Sequence, residues 1–150
     1  MTERYIHRTM SEAINDASQY FPVITLTGPR QSGKSTLLRH LFPSSPYVSL
    51  ENPDIRSLAH LDPKGFLGGF TDGVIIDEVQ HMPELLSYIQ GIVDEHPDRR
   101  FYLTGSSQFS LLKNVTQTLA GRTAVFELLP LSLAEIASLK NDDSMDTLLY

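Results

Sequence analysis

Gly28, Pro29, Arg30, Gln31, Ser32, Gly33, Lys34 and Ser35 follow one another in the spacing G-x-x-x-x-G-K-[ST], and each fixed type in that pattern has a physical task. Glycine has no Cβ, so the chain around Gly28 and Gly33 can curl until several backbone N–H groups and the start of a helix face one anion. Lys34 adds a full positive charge, suited to the β and γ phosphates of a nucleotide. The Ser35 hydroxyl is a hard oxygen ligand of the kind Mg2+ takes, and Thr36 can hydrogen-bond the α-phosphate side of the same cradle.

A second group is Val74-Ile75-Ile76-Asp77-Glu78, an apolar strand ending in two carboxylates. Asp77 at the strand tip would hold magnesium directly or through water, and Glu78 can accept a proton from an attacking water. Read without that chemistry, Glu78 is a solvated charge at a strand end. A third group, Leu103-Thr104-Gly105-Ser106-Ser107, offers hydroxyls to a γ-phosphate or to the nucleophilic water, Ser106 first and Thr104 second. A plain helix N-cap by Ser106 or Ser107 explains the same letters. Two arginines, Arg30 inside the loop and Arg122 after Leu119-Ala120-Gly121, could supply charge to a phosphoryl group in transfer, one of them as a finger into a neighbouring subunit; a solvated loop arginine fits each as well.

These residues need elements to hold them. Thr9 and Glu12 have capping-box spacing, and Met10, Ala13, Ile14, Ala17 and Tyr20 recur at helical intervals, so a helix is expected over about 10 to 20, ended by Pro22. Val23 to Thr27 reads as an interior parallel strand, and 35 to 41 as a helix stopped by Pro43. A short strand at 47 to 50 follows, then a helix from 53 to 61 opened by Asn52-Pro53, and a turn at Asp62-Pro63. The strand at 74 to 77 leads to a helix begun by Pro83, with Leu85, Ile89, Ile92 and Val93 on one stripe. A strand at 101 to 104, a helix carrying Leu111, Leu112, Val115 and Leu119, a strand at 124 to 128 and a last helix from Ser132 complete the order. Alternating strand and helix marks a three-layer α/β sandwich with a parallel sheet, in which chemistry belongs just after the strands.

The totals bound the reading. One domain suits 150 residues, with 41% hydrophobic and 20% charged residues and no low-complexity tract. The absence of cysteine excludes disulfides and thiolate metal sites, and His7, His40, His60, His81 and His96 are scattered without ligand spacing. Neither a signal-peptide pattern nor a span-length apolar run occurs, so the expectation is a soluble cytoplasmic protein without a membrane role. A net charge of -6 works against diffuse nucleic-acid binding; a local basic patch stays compatible, and Arg99-Arg100 is too small to argue for one.

Taken with Ile75-Ile76-Asp77-Glu78-Val79-Gln80, Leu119-Ala120-Gly121-Arg122 and Leu129-Pro130-Leu131-Ser132, the Gly-Pro-Arg-Gln start resembles the AAA-type ATP-binding proteins of bacteria and archaea called AAA domain type 14, over about Arg4 to Ile136. The resemblance implies a P-loop fold with strand order 5-1-4-3-2, ATP as nucleotide, and the roles given above to Lys34, Ser35, Asp77 and Glu78. It also implies a functional Arg122, and a Gln80 that positions water or couples the site to a partner, or caps a helix entry. Family members usually continue into a second domain, so residues 1–150 are expected to be the P-loop domain alone, truncated before it. The expected function is a Mg-dependent ATPase driving a conformational change in an unknown protein partner, with a homo-oligomer compatible. The alternative is a nucleotide-gated binding module with little hydrolysis. A phosphotransferase lacks a second arginine cluster, and a guanine-specific protein lacks an Asn-Lys-x-Asp motif.

Overall fold

The computed structural model describes residues 8–30, 32–106 and 109–129. In chain order the elements are α1 (Arg8–Ser18), β1 (Val23–Thr27), α2 (Lys34–Leu41), β2 (Tyr47–Ser49), α3 (Pro53–Leu61), α4 (Pro63–Gly68), β3 (Val74–Asp77), α5 (Leu85–Glu95), β4 (Phe101–Gly105), α6 (Phe109–Thr118) and β5 (Thr123–Glu127). A 3-10 turn, Val79–His81, follows β3.

The strands form one parallel sheet in the order β2-β3-β4-β1-β5, the expected order written from the other edge. Strand periodicity of two decides which side chains enter which layer. Val23, Val74, Ile76, Phe101 and Leu103 point into one core with α3, α4, α5 and α6, whereas Ile24, Leu26, Ile75 and Tyr102 point into the other with α1 and α2. Every residue of β1 and β4 is buried, so the two central strands are covered on both faces, as a parallel sheet requires. The consequence for function is geometric: the loops after β1, β3 and β4 open on the same edge.

Local chemistry explains most boundaries. The Asn52 side chain accepts from Asp54 N–H at 2.8 Å and Pro53 occupies the first turn, which opens α3. Asp62 does the same for Gly65 N–H at 3.0 Å, so the expected turn at Asp62-Pro63 is in fact the six-residue α4. Arg99 ties α4 down by donating to the carbonyls of Leu67 and Phe70, both at 2.9 Å, while its guanidinium lies 5.5 Å from the Phe101 ring centre. The helix expected from Ser132 lies outside the described residues. Among the described residues, no helix is long and apolar enough to cross a membrane.

Phe101 is fully buried at the centre of the larger core. Phe101→Ala should therefore cost about 3–5 kcal/mol, from lost transfer energy plus the cavity left behind. Urea unfolding of the two chains measures it, and a loss below 1 kcal/mol would mean that this core is not packed as described.

Candidate nucleotide site

The turn after β1 is built around backbone that only glycine tolerates. Gly33, immediately before α2, has φ 91° and ψ 20°, a left-handed conformation. A Cβ on Gly28 would collide with the Leu128 carbonyl oxygen, because the strand next door approaches that closely. The loop is closed by Ser32, whose N–H and Oγ both donate to the Pro29 carbonyl, at 3.3 and 2.7 Å.

Lys34 is 5% exposed, and its Nζ donates to the carbonyls of Gly28 and Pro29, both at 2.9 Å. Gly33, Lys34, Ser35 and Thr36 on one side and Asp77 and Glu78 on the other line an open cavity of about 170 Å³. The structure thus brings together two motifs more than forty positions apart in the chain. Of the remaining loop residues, Gln31 lies outside the described set, Pro29 is exposed, and Arg30 points outward to Glu51 at 3.3 Å.

Asp77 is held from two sides. The Thr104 hydroxyl donates to Oδ1 and, through its lone pair, accepts from Glu78 N–H at 3.0 Å. The Tyr47 hydroxyl donates to Oδ2 at 2.7 Å. Burial, and next the hydrogen bond to Asp77, push the Tyr47 phenol up to about 12, so it stays a donor through the physiological range. Thr104 is committed to Asp77 and to the Glu78 backbone, which makes it a brace between β4 and β3.

Glu78 has φ 58° and ψ 52°, and it is the single non-glycine residue with positive φ among the described residues. Left-handed backbone costs such a residue about 1–2 kcal/mol, and strain of this kind collects at functional sites. Gln80 fixes the side chain: its Nε2 donates to Glu78 Oε1 at 2.7 Å, and its Oε1 accepts from Ser106 N–H at 3.3 Å. Ser106 Oγ is buried without a hydrogen-bond partner. It caps no helix, since α6 starts at Phe109; Ser107, the other cap considered, is outside the described residues. Ser106 is not among the residues that line the cavity; it is tied to Glu78 through Gln80.

The structure does not bring Arg122 to these residues. Its carbonyl accepts from Val23 N–H at 3.1 Å, which places it at the amino end of the sheet, a five-residue strand and so roughly 15 Å from the Gly28 loop. There its guanidinium forms a two-pronged pair with Asp94, at 2.7 and 2.9 Å, which holds the Asp94 carboxyl below its usual range. Any action of Arg122 on a phosphate would have to be on that of another molecule. Sequence reasoning also missed Tyr47, whose tyrosine carries no motif; the one available signal was its place at the start of the strand expected beside the Asp77 strand.

The donor set suits a nucleotide carrying Mg2+: an ammonium, a curled glycine turn at a helix start, a serine hydroxyl and a braced carboxylate around one cavity. A parallel sheet with this strand order and this loop defines the class of P-loop ATPase-type domains. Residues 20–137 match the family model described as AAA domain, type 14, and the chain belongs to that family. It is 38% identical over 121 residues to the Mycobacterium tuberculosis protein Rv2008c and to Mb2031c of Mycobacterium bovis, both described as uncharacterized. The match takes in 78% of this chain but 27% of theirs, so the chain spans about a quarter of the length of these relatives. Its fold is similar to that of the Walker-type ATPase PABY2304 of Pyrococcus abyssi, with TM-score 0.61 and 21% identity over 89% of this chain and 56% of that one. It is also similar to the STAND protein PH0952 of Pyrococcus horikoshii, which has a tetratricopeptide repeat sensor, with TM-score 0.53 and 18% identity over 98% of this chain and 26% of that one.

Proposed function

We propose that this domain binds ATP with Mg2+ and hydrolyses it, using the cycle to change the conformation of a protein partner. The observation that carries the reading is Glu78, a carboxylate set beside Asp77 at the rim of the cavity on a backbone it would not adopt freely. Lys34 exchanges the Gly28 and Pro29 carbonyls for oxygens of the β and γ phosphates. The N–H groups of Gly33, Lys34 and Ser35 face the anion at the start of α2. Ser35, and Asp77 directly or through water, would hold Mg2+, which would supply charge neutralisation to the phosphates. Glu78 takes the proton of the water that attacks the γ-phosphorus as the bond to the β–γ bridging oxygen breaks and ADP leaves, and Ser106 Oγ, unpartnered otherwise, donates to that water or to the γ-phosphate. Thr104 keeps Asp77 and Glu78 in register throughout.

A second reading has an observation of its own. The Gln80 amide already occupies Glu78 Oε1, and a base tied in that way suits a nucleotide-gated binding module that holds ATP without turning it over. Phosphate release from ATP, with and without magnesium, separates the two. Magnesium-dependent release above that of a Lys34→Ala chain is expected. Release no faster than that control, with ATP still bound, would replace the first reading by the second, and a chain that binds no ATP at all would remove both.

A further inference from the structure

Asp77 is satisfied more fully than a carboxylate awaiting a bare cation needs to be. One hydroxyl comes from its neighbour strand β4, by way of Thr104 on Oδ1. The other arrives from the opposite neighbour, β2, where Ser49 stands level with Asp77 and Tyr47 stands level with Ile75. Strand periodicity puts Tyr47 and Asp77 on one face as diagonal neighbours, a separation that an aromatic side chain spans. The phenol does span it, reaching Asp77 Oδ2 at 2.7 Å. Arg39 of α2 lies over the Tyr47 ring at 4.6 Å from its centre, so the ring is braced by the helix that begins at Lys34. Tyr47 is 36% exposed, and its hydroxyl could have been left to water at no cost. It is spent on Asp77 instead.

We propose that Tyr47 is a positioning residue that keeps Asp77 in contact with the waters of the nucleotide's cation, not with the cation itself, and thereby sets a preference for Mg2+ over Mn2+. This rests on the ATP reading above. A hydroxyl on Oδ2 takes one lone-pair direction of the more open oxygen and fixes the carboxylate plane; what is left is an acceptor well placed for a coordinated water. Mg2+ sheds its waters reluctantly and accepts such a site, whereas a cation that dehydrates readily gains from a bare carboxylate oxygen. Freeing Oδ2 should therefore help Mn2+ more than Mg2+.

The test is Tyr47→Phe, which removes one oxygen and keeps the ring under Arg39. The chain is loaded with ADP, Mn2+ is titrated in, free Mn2+ is read by electron paramagnetic resonance, and Mg2+ is used as competitor. The preference for Mn2+ over Mg2+ is expected to rise about tenfold in the variant, the equivalent of one hydrogen bond to a charged group, with the melting temperature unchanged. An equal ratio in both chains, while both bind nucleotide, would overturn the proposal and leave the ATP reading intact. A parent chain that binds no Mn2+-nucleotide would instead remove the ATP reading and this inference with it.

Discussion

Glu78→Gln should bind ATP as tightly as the parent chain and release phosphate roughly 10²–10⁴-fold more slowly, the contribution of a well-placed general base. The substitution is nearly isosteric. A glutamine at 78 keeps an oxygen for the Gln80 amide, keeps its own N–H for Thr104, and meets the same left-handed backbone. Only the capacity to take a proton is lost, so the effect falls on turnover and not on binding. Titration with a fluorescent ATP analogue and single-turnover phosphate release measure the two sides separately. Turnover within twofold of the parent would show that the proton goes elsewhere, and Glu78 would then be the solvated strand-end charge that its sequence position also allows.

Lys34→Ala has the opposite signature, a loss of nucleotide with little loss of fold. Two unit charges 4 Å apart interact by about 4 kcal/mol at the effective dielectric of a partly exposed site, so nucleotide affinity should fall by roughly 10²–10³-fold once competing contacts are allowed for. Stability should change by only about 1 kcal/mol. Lys34 donates to two carbonyls, but Ser32 already serves one of them twice, at Pro29. Only Gly28 O gives up a donor that no other contact described above replaces. Calorimetric titration with Mg-ATP and a melting curve on the same preparation provide the comparison. A variant that binds ATP as the parent does would show that the charge faces the loop and never the ligand.

Much of this was legible before any coordinates. Val23 to Thr27, Val74 to Asp77 and Phe101 to Thr104 are short, apolar and rich in β-branched or aromatic residues, and strands buried on both faces read that way. The glycine turn and the two carboxylates were found because backbone freedom and charge leave their mark in residue type. Contacts between strands leave none. That Thr104 and Tyr47 meet Asp77 depends on β3 lying between β2 and β4, and the partners stand 27 and 30 positions from it in the chain. The distance of Arg122 from its own chain's cavity could also have been read. Its triplet Ala120-Gly121-Arg122 precedes a strand, and in a parallel sheet a residue that enters a strand stands at the end away from the ligand, a deduction the alternation alone permitted. The 3-10 turn at Val79–His81 was invisible because it starts from a conformation that glutamate rarely takes.

That conformation has an implication for how the sequence can be improved. A glycine at 78 would relax the backbone at once, and the relaxed protein would have nothing there to take a proton. Relief of strain and loss of the proposed proton acceptor thus come in one substitution, so that any heat resistance gained at this position would be traded against turnover.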